Sequence, residues 1–106
     1  MDGIYEFVFI GSHGGGTGKL LIAGGNVLGK DTGGVIYGGS IPGGIGIRAA
    51  VPPNMTMVTG QQAGPTGEVI NILAQIDETS FNGQPFRVEI PGGGEITVTI
   101  RKLESL

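Results

Sequence analysis

Cysteine and tryptophan are absent from this chain of 106 residues, and histidine occurs once, at His13. Without cysteine there is no disulfide framework and no thiolate metal site, a composition compatible with a reducing compartment. One histidine leaves a transition-metal site short of nitrogen ligands and would make any serine nucleophile depend on a base in a glycine-rich loop. Charge is also scarce, with six Lys and Arg against nine Asp and Glu for a net charge of −3. The cations Lys19, Lys30, Arg48, Arg87, Arg101 and Lys102 are spread along the chain, and only the last two are adjacent. That argues against nucleic acid, which needs a clustered basic footprint. No apolar run approaches the roughly 18 residues of a membrane-spanning helix, and Met1-Asp2-Gly3 lacks the basic start of a signal peptide. The expectation is a mature cytoplasmic protein without a membrane role.

Helical periodicity is missing too: apolar residues nowhere hold an i, i+3, i+4, i+7 spacing over three turns. What the chain has instead is glycine, 23 residues of it, between short blocks of alternating apolar residues. Interior glycine costs a helix about 1 kcal/mol relative to alanine, but in a bent sheet it permits bulges and close backbone approach. The blocks Gly3–Ile10, Lys19–Ala23, Val27–Lys30, Val35–Ser40, Ile45–Val51, Glu68–Asp77, Phe86–Ile90 and the stretch from Ile96 to the end predict about eight strands. Gly3–Ile10 is apolar on both faces apart from Glu6 and predicts a well-buried strand. Gly11–Gly18 predicts a flexible connection, Asn82-Gly83 a tight hairpin, and Pro52–Gly67 the one long loop. A single all-β antiparallel domain follows, either a sandwich or an up-and-down barrel. The barrel is favoured because closure removes exposed edges. An eight-stranded barrel is either filled by side chains or holds one small ligand.

The segment His13–Leu20, HGGGTGKL, fails as a phosphate loop: histidine stands where its first glycine belongs, Leu20 replaces the magnesium-binding hydroxyl, and a strand follows. His13–Gly16 has the look of an esterase oxyanion segment, but its companion Gly-x-Ser-x-Gly is missing, because Gly38–Pro42 ends in proline. No cofactor is therefore expected. Asp77-Glu78 reads as a solvated pair before a turn. Glu6 lies within an apolar strand, either pointing into the barrel toward an arginine or sitting at a solvated edge. Asn54-Met55-Thr56 matches a glycosylation acceptor, which without secretion has no consequence. Met55, Met57 and Val58 are apolar where loops are usually polar, so they either cap the barrel core or form an adaptable surface for a protein partner.

Asp2-Gly3-Ile4-Tyr5 with Phe9 and Ser12, then Gly24–Leu28 with Gly29-Lys30-Asp31, then Tyr37 before Gly39-Ser40, together resemble the GrlR-like family, named for a negative regulator of type III secretion genes. The match in motif detail covers roughly the first half of the chain, the second half agreeing in strand count and spacing. The resemblance implies a lipocalin-like (calycin-like) eight-stranded β-barrel, a homodimer, an apolar cavity, no chemistry, and regulation by binding a protein partner. The family's acidic run between the middle strands corresponds here to Ile41-Pro42-Gly43-Gly44, which holds no acid.

The sequence thus points to a non-enzymatic barrel that binds a protein partner as a regulator, or else carries or senses a small apolar ligand. Tyr5, Phe7, Phe9, Tyr37, Phe81 and Phe86 are the candidate interior residues. A hydrolase or isomerase built on Glu6 and an arginine, and a module that oligomerises through its strand edges, are the alternatives.

Overall fold

The computed structural model describes residues 2–40, 45–74, 81–90 and 94–106. The period-2 blocks form eight strands: β1 (Gly3–Gly11), β2 (Gly14–Ala23), β3 (Asn26–Asp31), β4 (Ile36–Ser40), β5 (Ile45–Val51), β6 (Glu68–Ala74), β7 (Phe86–Ile90) and β8 (Gly94–Ser105). They make one sheet in the order β6-β5-β4-β3-β2-β1-β8-β7, with every neighbouring pair antiparallel. Among the described residues no helix is long and apolar enough to cross a membrane.

The sheet curls on itself but stays open. β8 folds back along β1 from Gly3↔Ser105 to Ile10↔Thr97, so the chain closes everywhere except between β6 and β7. Those two strands approach to within 8 Å in places without pairing. The result is a curled half-barrel rather than the closed barrel the sequence predicts. The expected hairpin at Asn82-Gly83 is instead a local turn: the Gln84 N–H donates to Asn82 Oδ1 at 2.9 Å, Gly83 has a φ of +84°, and Asn82 bridges Arg101 on β8. Asn side chains close such turns within their own segment, and no β6–β7 register is set by it. Asp77 and Glu78, and the connection Ile41–Gly44, lie outside the described residues.

Two further expectations are corrected. Gly14–Gly18 is not a flexible connection; it is the first half of β2, paired residue by residue with β1 from Gly11↔Gly14 to Phe7↔Gly18. And β1 is buried on one face only. Tyr5 and Phe7 are buried and Phe9 is half-buried, while Val8 and Ile10 are exposed on the other side. The apolar outer positions reflect the limited polar content of the chain, not a second core.

The core runs along the concave face. At one end Tyr5 packs on Phe81 at 5.5 Å between ring centres, beside the fully buried Ile22. At the other end, where the β1–β2 and β3–β4 turns lie, the packing opens.

Candidate functional site

The opening is created by glycines on the inward face of β2. Gly16 and Gly18 alternate with exposed Gly15, Thr17 and Lys19, so they face the interior opposite Phe9 and Phe7 of β1. A methyl group at Gly18 would collide with the Phe7 ring and with the Lys30 carbonyl oxygen, and one at Gly16 would collide with the Phe9 ring. The missing Cβ atoms let both rings lie across β2. Phe7 then stacks on Phe9 at 5.9 Å and meets the edge of Tyr37, from β4, at 5.3 Å and 81°. Such geometries suit the ring quadrupole and fix the row in place.

Tyr37 leads to the one buried charged group among the described residues. Asp31, 5 % exposed at the inward end of β3, accepts the Tyr37 hydroxyl at 2.7 Å on Oδ2. Its Oδ1 accepts the backbone N–H groups of Gly33 at 2.9 Å and Val35 at 3.0 Å. The turn is tightened by Asp31 N–H to the Val35 carbonyl and by Gly34 N–H to the Asp31 carbonyl. Burial, and then the hydrogen bond and negative charge of Asp31, hold the Tyr37 hydroxyl well above the usual phenol range. Tyr37 therefore stays a donor.

The long loop Pro52–Gly67 covers this end. It folds as a small hairpin, with Met57 N–H to the Gln61 carbonyl and Ala63 N–H to the Met55 carbonyl, both 2.8 Å. Its tip is tied to the β1–β2 turn: the His13 N–H donates to the Val58 carbonyl at 2.6 Å, and Ser12 Oγ to the Thr59 carbonyl at 3.4 Å. Gly60, at a φ of +88°, takes the His13 ring against its bare Cα. Met57 is buried and Met55 half-buried beneath the hairpin.

Between this lid and the aromatic row lies a cavity of about 290 Å³. Phe7, Phe9 and Tyr37 line one side, Met55, Met57 and Val58 the lid, and aliphatic residues of β5, β7 and β8 much of the rest. Besides Tyr37, the lining residues with polar side chains are Asp31, Thr32 and Thr59. The Thr59 hydroxyl oxygen is buried and has no hydrogen-bond partner.

The interior residues expected from sequence thus separate. Phe7, Phe9 and Tyr37 line the cavity; Tyr5 and Phe81 pack together at the opposite end, and Phe86 packs half-buried against the core from β7. Met55, Met57 and Val58 are brought to the same space from the lid. Glu6 is on the outer face, where both Arg101 Nε and Nη2 reach its Oε1 at 3.3 Å, so it stands outside the cavity. Ser12 Oγ lies 2.8 Å from His13 Nδ1, but these are neighbours in an exposed turn whose contacts hold the lid. Sequence reasoning missed Asp31 and Thr59. The signal for Asp31 was present in Asp31-Thr32-Gly33-Gly34, since a side-chain oxygen followed by free N–H groups and glycines is the composition of an Asx turn. No signal marked Thr59.

No family model matches the chain, and no curated protein matches it.

Proposed function

We propose that this chain is a small non-enzymatic binding protein that takes one small, largely apolar ligand in the space beneath the Pro52–Gly67 lid, as a carrier or sensor. The observation that carries this reading is the cavity of about 290 Å³ between the aromatic row and the lid methionines. Protein interiors pack at crystal-like density and leave few voids larger than a water molecule. This one is partly open to solvent and lined mainly by apolar side chains, so an apolar occupant would gain by displacing water from those walls. Methionines at the lid suit ligands of varied shape. The β6–β7 seam is then the joint at which the sheet closes into a full lipocalin-like barrel. The regulatory role implied by the GrlR-like resemblance becomes ligand sensing.

Native mass spectrometry of the freshly purified protein tests for a resident ligand. Titration of 1-octanol, followed by the methyl signals of Met55 and Met57, tests for binding. Saturable shifts of both methyls are expected; shifts confined to outward residues such as Leu28 and Ile36 would overturn the reading.

A second reading is favoured by the outer face. Leu21 and Leu28 pair across β2 and β3, Leu28 being 60 % exposed, and a second exposed apolar row, Ile36, Ala50 and Val69, crosses β4 to β6 one ladder step away, opposite Lys30 of β3. This surface would serve a second copy of the chain. Sedimentation velocity of the wild type and of Leu28→Lys decides it: a dimer that the substitution dissociates is expected, and a monomer in both ends the reading.

A further inference from the structure

Asp31 does more than close a turn. As a carboxylate it has roughly four acceptor positions, and the structure fills three: two on Oδ1 from Gly33 and Val35, one on Oδ2 from Tyr37. One position on Oδ2 remains, at a side chain that lines the cavity. No cation lies within ion-pair distance of Asp31 among the described residues; the salt bridges there are Arg87–Glu95 and Arg101–Glu6, both on the outer face. A buried carboxylate without a counter-charge is costly unless one is supplied.

We infer that the cavity selects amphiphilic amines: an apolar body held by Phe7, Phe9 and the lid methionines, with a protonated amino group on the free Oδ2 position of Asp31. The inference rests on the cavity-binding reading and names the class of ligand. An ammonium group is the fitting head because it brings three donors and the missing positive charge, whereas an alcohol brings one donor and no charge. An anionic head is excluded by the same carboxylate. The cavity of about 290 Å³, partly open to solvent, leaves room for an apolar body such as an octyl chain or a substituted ring.

The test compares 1-octylamine, 1-octanol and octanoate at neutral pH by titration calorimetry, with nuclear Overhauser contacts between the ligand C1 protons and the Tyr37 ring as the readout of placement. Octylamine is expected to bind at least about tenfold tighter than octanol, as a charge-assisted hydrogen bond requires, and octanoate weakest. In Asp31→Asn, which keeps an Oδ1 acceptor for the turn, the preference for the amine over the alcohol should disappear. Octanol binding with no preference for the amine would overturn the amine assignment and leave the cavity reading standing. Binding of none of the three would overturn both. Should Asp31→Asn fail to fold, the wild-type ranking and the Tyr37 contact decide alone: amine preference without that contact also rejects the assignment.

Discussion

At Gly18 a single methyl group separates a chain that can lay Phe7 across β2 from one that cannot. Its Cβ would meet the Phe7 ring and a backbone oxygen of β3, and the backbone has no rotamer with which to yield. Gly18→Ala is therefore expected to destabilise the fold by about 1–3 kcal/mol, the usual cost of overpacking. Denaturant unfolding measures that loss, and weakened Phe7–Tyr37 ring contacts in nuclear Overhauser spectra locate it. The run HGGGTG was legible as glycine-rich but not as a strand. Strand propensity scores glycine poorly, and the compensation comes from rings on a neighbouring strand that local pattern does not report. Tyr37 makes a second prediction at this scale. Its hydroxyl is held protonated above the ordinary tyrosine pKa of about 10, by burial first and then by Asp31. Above that pH the unfolded chain loses the proton while the folded one keeps it. The stabilisation is thus complete below about pH 10 and declines at higher pH by up to about 1.4 kcal/mol per pH unit. The tyrosine Cζ carbon signal should show Tyr37 un-ionised for as long as the protein stays folded; a Tyr37 signal that titrates near pH 10 in the folded protein would reject the account.

Two elements make the site: the β3–β4 turn, held by the contacts of Asp31, and the Pro52–Gly67 hairpin, anchored by buried Met57 and Ala63 and latched at its tip by polar contacts. In the turn, Asp31→Ala orphans the Gly33 and Val35 N–H groups, the latter bond being buried, and should cost about 1–3 kcal/mol more than Asp31→Asn. Comparison of their thermal unfolding checks this. The hairpin is latched at its tip by Ser12 and His13, and a Cβ at Gly60 would lie 2.6 Å from the His13 ring, at a φ that side chains rarely adopt. Gly60→Val should free the tip. Amide exchange at His13, whose N–H bonds the Val58 carbonyl, should quicken, while exchange in the β1–β8 ladder stays unchanged. The loop is legible in the sequence from its length and from Met55, Met57 and Val58. Whether those residues cap the core or meet a partner is not, because loop chemistry does not reveal which way a hairpin folds. The latch was out of reach, since Ser12 and Thr59 stand far apart in the chain.

For the whole molecule, strand alternation was enough to place eight antiparallel strands, because most of the turns are short and glycine-rich and every strand carries a period-2 stretch, if only in its second half for β2. Closure was not legible. It depends on whether β6 and β7 share a register, and Asn82-Gly83 turns within its own segment while Phe81 turns inward to meet Tyr5. The consequence is an uneven sheet. β1, β2 and β8 are paired on both sides along long ladders, whereas β6 and β7 each leave one edge unpaired. Unpaired edges open locally at low free energy. In the ligand-free protein, hydrogen exchange should be slowest in β1, β2 and β8, and fastest among the strands in β6 and β7. Val88 and Ile90 of β7 and Ala49 and Val51 of β5 all line the cavity, so an occupant contacts the sheet on both sides of the seam. Saturation with 1-octylamine should therefore slow exchange in β6 and β7 by more than in β1, as the two edges are drawn onto a common surface. Equal slowing in every strand would mean that the ligand stabilises the fold without closing it. Edge strands already as slow as β1 before any ligand is added would mean that the seam is shut in solution, and that entry to the cavity runs through the lid alone.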